Sequence, residues 1–251
     1  MPVIAVTNQK GGVGKTTTTI NLGAYLARAG ASVLIVDLDP QGNATSGLAI
    51  NKTGIEHKTM YELLGGQVSA ADIVLPTAQK NLFILPTGGE LAASEIDLVG
   101  VDAREFVLKK ALAGLSYDYI LIDCPPSLSL LTVNALTAAD KVLIPVQTEF
   151  YALEGLGQLI DVVQRVRASL NPHLELLGVV MTMYDSRTSL SGNVRDELLK
   201  HFGEKVFKTQ IPRNVRLAEA PSYGKTIAEH DKWSKGARAY KALAKEVIGR
   251  G

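Results

Sequence analysis

Cysteine, tryptophan and long apolar runs are scarce in this chain. Of its 251 residues, one is cysteine (Cys124) and one is tryptophan. A single cysteine excludes an internal disulfide and the cysteine clusters that hold iron–sulfur centres, and it suits a reducing compartment. No apolar run approaches the ~18 residues of a membrane-spanning helix. The sequence starts without a basic-then-apolar leader, so we expect a cytoplasmic rather than a secreted protein.

The charge of the chain is nearly balanced but unevenly placed. The formal net charge is +1, yet residues 205–251 carry eleven Lys/Arg against four Asp/Glu, a local net charge of +7. Residues 1–204 therefore carry a net charge of −6. Such a basic segment is typical either of an ordinary solvated face or of a surface that meets a polyanion. The four histidines are scattered without metal-ligand spacing, so no structural metal is predicted.

Apolar segments alternate along the chain between strand-like and helix-like patterns. Strand-like runs occupy residues 3–6, 33–36, 82–85, 119–122, 142–146 and 176–181, with a weaker one at 206–211. Helical periodicity covers residues 16–29, 104–115, 128–138, 153–170, 194–202 and 235–248. This alternation predicts one α/β domain over residues 1–251, with a mostly parallel sheet of about seven or eight strands and helices on both faces. Residues 40–80 are less regular, and we expect loops and short helices there.

A glycine-rich loop joins the first predicted strand to the first predicted helix. It contains Gly11, Gly12 and Gly14, followed by Lys15 and Thr16. Glycines let backbone N–H groups converge on phosphate oxygens, and the helix N-terminus adds partial positive charge. In such a P-loop the lysine neutralises the β- and γ-phosphates and the hydroxyl binds Mg²⁺. The strand–loop–helix context therefore predicts a nucleoside triphosphate site with Mg²⁺.

Acidic residues follow two of the predicted strands. Run 33–36 leads into Asp37 and Asp39, and run 119–122 leads into Asp123. An acid that ends an apolar strand is the Walker B pattern, in which the carboxylate holds the Mg²⁺ shell. An aspartate before a proline can also simply start a turn, and Asp39 precedes Pro40. The buried-looking Cys124 is expected to be structural rather than a reactive thiol.

The glycine loop also departs from the usual G-x-x-x-x-G-K-[ST] pattern. The first glycine of that pattern is replaced by Gln9, and a second lysine, Lys10, stands near the start of the loop. This sequence resembles the deviant Walker A motif of the ParA/MinD ATPases. The resemblance implies that Lys10 reaches across a dimer interface to the partner's nucleotide, that Asp39 positions or activates water, and that Asp37 supports the metal shell. It implies a catalytic set of Lys10, Lys15 and Asp39, and metal contacts from Thr16, Asp37, Asp39 and Asp123. The implied loop contacts to ATP come from Lys10, Gly11, Gly12, Val13, Gly14, Lys15, Thr16 and Thr17.

A second long match to ParA-type proteins covers residues 211–225. By resemblance, Pro212 and Asn214 lie against the adenine, and residues 181–185 flank the base. The resemblance spans nearly the whole chain and is closest to the chromosomal ParA/Soj branch. The loop begins by residue 9, which leaves no room for the N-terminal helix-turn-helix extension of larger plasmid ParA proteins, so any DNA binding should be independent of sequence. The candidates for phosphate contacts are Arg187, Arg213, Arg216, Lys225, Lys232, Lys235, Arg238 and Lys241.

The resemblance implies an ATP-dependent switch for chromosome or plasmid segregation. In this reading an ATP-bound homodimer binds double-stranded DNA on the nucleoid, and a ParB/Spo0J-type centromere-binding protein stimulates slow hydrolysis. A MinD-like, membrane-associated regulator is the alternative, and it would require helix 235–248 to be an anchor. That helix lacks the bulky content of an interfacial anchor, so we expect no stable membrane association. A metabolic ATP-dependent ligase is a further rival that would turn over a small carboxylate without DNA.

Overall fold

The computed structural model describes residues 2–149 and 154–250, within which eight strands form one sheet. The strands are β1 (Val3–Val6), β2 (Val33–Asp37), β3 (Leu75–Pro76), β4 (Leu82–Leu85), β5 (Tyr119–Asp123), β6 (Lys141–Gln147), β7 (Glu175–Tyr184) and β8 (Val206–Pro212). Their order across the sheet is β3-β4-β2-β5-β1-β6-β7-β8. All neighbours pair in parallel except β3, which runs antiparallel to β4.

Twelve α-helices connect these strands in the described ranges. They are α1 (Lys15–Arg28), α2 (Asn43–Gly47), α3 (Met60–Leu64), α4 (Ala70–Ile73), α5 (Ser94–Asp97), α6 (Val107–Ala111), α7 (Leu130–Ala138), α8 (Glu154–Ser169), α9 (Ser189–Phe202), α10 (Val215–Glu219), α11 (Ile227–His230) and α12 (Lys235–Gly249). Short 3-10 turns lie between several of them, including Leu98–Gly100 and Arg104–Phe106. None of the helices described is long and apolar enough to cross a membrane.

Apolar side chains cover both faces of the sheet. On one face, Leu22 and Leu26 of α1 pack with Tyr240 and Leu243 of α12 in a single buried cluster. On the other face, helices α6 to α9 contribute to a second cluster. The inner strands are therefore apolar over most of their length, as expected where helices exclude water from both sides, and polar residues stand at their ends. The predicted α/β architecture is confirmed.

Most predicted elements agree with the structure to within a few residues, and two differ. The predicted helix 104–115 is a 3-10 turn followed by the short helix α6, because Ala103 has a positive φ of 53° and the Asn134 side chain accepts a hydrogen bond from Leu108 N. Strand β3 was not predicted, since two residues that include a proline give no alternating pattern. Leu153, the predicted start of the helix after β6, lies outside the described residues.

The topology places β1 at the centre of the sheet, between β5 and β6. The glycine loop therefore emerges at the same edge as the carboxyl ends of β2 and β5, where the acidic residues were predicted. In open α/β sheets, ligands bind in the crevice at this edge.

Candidate functional site

The glycine loop leaves its backbone amides free at the start of α1. Gly12 and Gly14 have φ values of 76° and 88°, in the left-handed region that favours glycine. Gly14 is the N-cap of α1 and supplies no side-chain cap, while its carbonyl accepts from Thr18 N at 2.9 Å. The first amides of α1 thus remain available to an anion at the positive end of the helix dipole.

Lys15 is buried inside this loop. It is 6% exposed, and its Nζ donates to the Lys10 carbonyl at 3.1 Å. Burial lowers the pKa of Lys15, while the negative charges of Asp123 and Asp39 oppose this effect. The ammonium is therefore held where phosphate oxygens would satisfy its remaining donors.

A cavity of about 670 Å³ opens above the loop. Its walls include Gly11, Gly12, Gly14, Lys15, Thr16, Thr17, Asp39, Pro126, Met183 and Lys225. The structure thus brings six of the predicted nucleotide-binding residues and the predicted catalytic Asp39 to one cavity. Lys10 and Val13 do not line it. They line a neighbouring groove of about 580 Å³ with Gln9, Pro126 and Gln158.

Two aspartates on adjacent strands form a buried pair in which one oxygen of each carboxyl lacks a hydrogen-bond partner among the described residues. Asp37 of β2 is in register with Asp123 of β5, and both are fully buried. Thr45 donates to Asp37 Oδ2 from its backbone N at 2.7 Å and its hydroxyl at 2.6 Å, and Thr19 donates to Asp123 Oδ1 at 3.2 Å. Asp37 Oδ1 and Asp123 Oδ2 have no hydrogen-bond partner among the described residues. Burial raises the pKa of both carboxyls; the charge of Asp37 further raises the pKa of Asp123, and the charge of Asp39 further raises the pKa of Asp37.

The unpaired oxygens Asp37 Oδ1 and Asp123 Oδ2 bear on whether this site suits a magnesium ion. Carboxylate oxygens and a threonine hydroxyl are suitable donors for Mg²⁺, which keeps several waters and takes further ligands from substrate phosphates. An interaction with the Thr16 hydroxyl lowers the pKa of Asp123, so that hydroxyl lies beside the pair. A cation would compensate two buried charges that the protein leaves unsatisfied. The donor set fits Mg²⁺ bound partly through nucleotide.

The predicted metal set of Thr16, Asp37, Asp39 and Asp123 stays a prediction. In the described part of the chain, no three or more His, Cys, Asp or Glu side chains form a group that could hold a metal ion by themselves. Mg²⁺ at a nucleotide site keeps several waters and takes phosphate oxygens as well, so it does not need such a group. Asp39 lies beyond the end of β2, where its Oδ1 accepts from Gln41 N at 3.0 Å and shapes the loop. Asp39 also lines the cavity.

A smaller cavity of about 180 Å³ adjoins the first one. Pro212 and Asn214 line it with Thr182, Met183 and Tyr240, and Gly14 and Thr17 belong to both cavities. Asn214 Oδ1 accepts from Leu217 N at 3.2 Å as the N-cap of α10, which fixes the amide. The residues predicted to flank the base are thus brought together next to the phosphate loop, and their role remains a prediction.

The eight predicted DNA-contacting residues are all exposed. Arg187 makes a two-pronged ion pair with Asp185, with N–O distances of 2.9 and 2.7 Å. Arg216 contacts Glu219 at 2.9 Å and Asp231 at 3.7 Å. Arg213 and Lys225 differ from the rest because they also line the nucleotide cavities.

Several site residues were missed by sequence reasoning. Thr45 and Thr19 hold the aspartate pair, Glu149 forms an ion pair with Lys10, and Tyr240 lines the small cavity. Only Thr19 had a signal, since it lies in the run of four threonines that opens α1. The other contacts join distant parts of the chain.

The fold and the loop define a P-loop nucleotide-binding protein, and comparisons with known proteins agree. A family model described as an AAA domain matches residues 1–176. The sporulation initiation inhibitor protein Soj of Bacillus subtilis is 55% identical over 99% of both chains. The chromosome partitioning protein ParA of Caulobacter vibrioides is 50% identical over 99% of this chain and 94% of that protein. A solved structure of cobyrinic acid a,c-diamide synthase from Mycobacterium smegmatis, with an ATP analogue and magnesium, has a TM-score of 0.86 and 39% identity, over 99% of this chain and 94% of that one.

The chain belongs to the Soj/ParA family of chromosome-partitioning ATPases. The predicted resemblance is confirmed.

Proposed function

We propose that the chain is an ATP-dependent switch for DNA segregation, with ATP and Mg²⁺ as its cofactors. ATP closes a sandwich dimer, the dimer binds double-stranded DNA without sequence preference, and hydrolysis returns it to the monomer. One observation carries this proposal: the two lysines of the loop line different cavities. Lys15 lines the 670 Å³ cavity, whereas Lys10 lines the adjacent 580 Å³ groove and is 39% exposed. We infer that Lys10 serves the nucleotide of a second subunit, and its position outside the 670 Å³ cavity supports this.

In the proposed mechanism, each residue of the cavity has a separate task. Lys15 and the free amides of α1 bind the phosphates, while Asp37, Asp123 and the Thr16 hydroxyl hold the metal. When bound, Mg²⁺ neutralises charge on the β- and γ-phosphate oxygens. Asp39, fixed by the amide of Gln41, orients water beside the terminal phosphate. Asp39 is 5% exposed, so its carboxylate is shielded from bulk solvent.

In the proposed dimer, Lys10 of one subunit brings positive charge to the nucleotide of the other. An isolated subunit lacks this charge at its own nucleotide. Cations that arrive in trans accelerate P-loop hydrolysis by about 10³–10⁵, which corresponds to about 4–7 kcal/mol of barrier. Slow turnover in the monomer follows, because Lys10 is occupied by Glu149. We propose that a ParB-type partner stimulates hydrolysis from the closed dimer.

The basic C-terminal segment is the proposed DNA surface. Lys235, Arg238 and Lys241 lie on the exposed side of α12, whose apolar side is buried against the sheet. A dimer doubles the number of phosphate contacts, so subunits that bind DNA weakly on their own can bind it more tightly as a dimer. The buried stripe is not free to enter a lipid surface, which favours this reading over a MinD-like anchor. We propose a cytoplasmic protein associated with the nucleoid.

The test is a DNA-binding titration with ATP, with ADP and without nucleotide, repeated across a salt series. We expect DNA binding and a dimer in sedimentation only with ATP. Lys10→Ala should bind ATP yet remain monomeric and fail to bind DNA. Lys80→Ala, an exposed lysine between β3 and β4, is the matched control and should behave as the parent. A Lys10→Ala variant that dimerises with ATP would overturn the proposal.

A further inference from the structure

The surface around α5 exposes apolar side chains that the core does not use. Ile96, Val99 and Val101 are 77%, 63% and 44% exposed. They account for three of the nine large exposed hydrophobic residues in the described ranges, and they fall within six consecutive positions. Leu91 and Leu98 of the same segment are buried. The buried leucines already fix this segment to the protein, so folding does not require the exposed apolar residues Ile96, Val99 and Val101. We call these three residues and the positions between them the 96–101 surface.

The 96–101 surface is surrounded by carboxylates. Residues 90–105 contain five acidic residues and one arginine, a net charge of −4. The arginine, Arg104, is already engaged by Glu105 at 3.3 Å and by the Val99 carbonyl at 3.2 Å. The next basic residues along the chain are Lys109 and Lys110 on α6. The surface thus combines apolar area with uncompensated negative charge.

A groove of about 510 Å³ runs beside this surface. Tyr61, Asp97 and Val101 are among its lining residues, and the Tyr61 hydroxyl donates to Asp97 Oδ2 at 3.0 Å. Ser94 also lines the groove; it is 2% exposed, and its Oγ has no hydrogen-bond partner among the described residues. A buried hydroxyl without a partner is costly unless another group completes it. The groove therefore offers the Asp97 carboxylate to an incoming donor, whereas the Ser94 Oγ is itself buried.

We propose that the 96–101 surface docks a basic amphipathic segment of a partner protein. Aliphatic side chains of that segment cover Ile96, Val99 and Val101. Its lysines or arginines pair with the surrounding carboxylates, and one of them enters the groove to reach Asp97. Nucleic acid and anionic lipid do not fit, because the surface is acidic. The choice of occupant rests on charge complementarity and on apolar area presented together.

The position of this surface separates it from α12. Leu91 belongs to the buried cluster on the sheet face of α6 to α9, whereas α12 packs on the opposite face. A partner docked here leaves the basic helix uncovered. The docking proposal therefore does not depend on ATP, DNA or dimer formation.

The experiment measures fluorescence anisotropy of two labelled synthetic peptides with the full-length chain and no nucleotide. One peptide is an amphipathic helix with leucines on one side and lysines on the other, and the second has glutamate in place of each lysine. We expect the basic peptide to bind at least about tenfold more tightly than the acidic one. The double variant Ile96→Ser, Val99→Ser should weaken binding by about tenfold or more, because the apolar contact is lost. Asp97→Asn should weaken it less and flatten its salt dependence.

Matched controls locate the binding. Ile248→Ser changes an exposed apolar residue on α12, 46% exposed, and should leave peptide binding unchanged. Hydrogen exchange should show peptide-dependent protection of residues 94–101, and circular dichroism should show that every variant is folded. Equal binding by the double variant, or no preference for the basic peptide, would refute the proposal. Self-association of the parent chain that the double variant abolishes would make a second copy the occupant and would also refute it.

Discussion

The Tyr240 hydroxyl lies 3.1 Å from the Thr18 hydroxyl, and the two form a buried hydrogen bond between residues 222 positions apart. Thr18 lies in the first turns of α1, directly after the phosphate loop, and Tyr240 lies in α12 among the predicted DNA-contacting residues. The Tyr240 side chain also lines the small cavity beside the loop. One side chain therefore touches the nucleotide-binding region and belongs to the basic helix.

Replacing Tyr240 tests whether the nucleotide-binding region is coupled to the basic helix α12. Tyr240→Phe leaves the Thr18 hydroxyl buried without its partner, so we expect the free energy of unfolding to fall by about 1–2 kcal/mol. We also expect the difference in DNA affinity between the ATP and ADP states to shrink. Denaturant unfolding and a DNA titration measure the two effects. Tyr223→Phe, on a side chain that is 65% exposed, should change neither.

The two loop lysines should give different defects. Lys15→Ala removes the buried ammonium from the loop, and binding of a fluorescent ATP analogue should weaken by about 10- to 100-fold. Lys10→Ala should bind the same analogue normally, because Lys10 lies outside the 670 Å³ cavity. Normal ATP binding and dimerisation by Lys15→Ala would show that the loop assignment is wrong.

Asp39 should be needed for hydrolysis and not for binding. Asp39→Ala should reduce ATP turnover by about 10²–10⁴ and trap the ATP-bound dimer on DNA. Asp39→Asn keeps an oxygen that can accept from Gln41 N and so preserves the loop. Both variants should be inactive if the carboxylate orients water. Activity in Asp39→Asn alone would reduce Asp39 to a structural role.

Charge reversal at Arg187 should weaken DNA binding with little effect on ATP binding. Each phosphate contact contributes about −0.9 to the slope of log affinity against log salt, so Arg187→Glu should make the slope shallower by about one unit. Arg195→Glu on α9 is the control, since the Arg195 side chain is 42% exposed and is also paired with a neighbouring aspartate. If Arg187→Glu retains DNA like the parent, the DNA surface lies elsewhere.

A glycine in β7 should be sensitive to the smallest side chain. A Cβ at Gly178 would lie 2.4 Å from the Lys205 carbonyl and 2.7 Å from the guanidinium of Arg250, opposite the register shift in β6. Gly178→Ala should lower the free energy of unfolding by about 2–3 kcal/mol in a denaturant titration. Gly192→Ala, inside α9 with open space around it, should instead raise it by up to about 1 kcal/mol.

The sequence predicts the local features of this protein well and the long-range ones poorly. The phosphate loop and the acids that end β2 and β5 are visible because each depends on a few adjacent residues. The antiparallel pairing of β3 is not, because Leu75 and Pro76 alone carry no periodicity. Thr45, Glu149 and Tyr240 are ordinary residues in the sequence and acquire roles only when folding brings Asp37, Lys10 and Thr18 to them. The length of helix 104–115 was overestimated, since periodicity does not register the turn at Ala103.

The unpaired oxygens of Asp37 and Asp123 have a consequence for the lifetime of the protein. Both residues end neighbouring strands of the sheet and are fully buried, so a group that completes their oxygens binds directly to the core. Any ligand that brings a cation to them stabilises the folded chain by mass action. Magnesium with nucleotide should therefore slow proteolysis of the entire molecule, and loss of ligand should hasten it. In a cell, the supply of nucleotide would then govern how long each copy survives as well as what it binds.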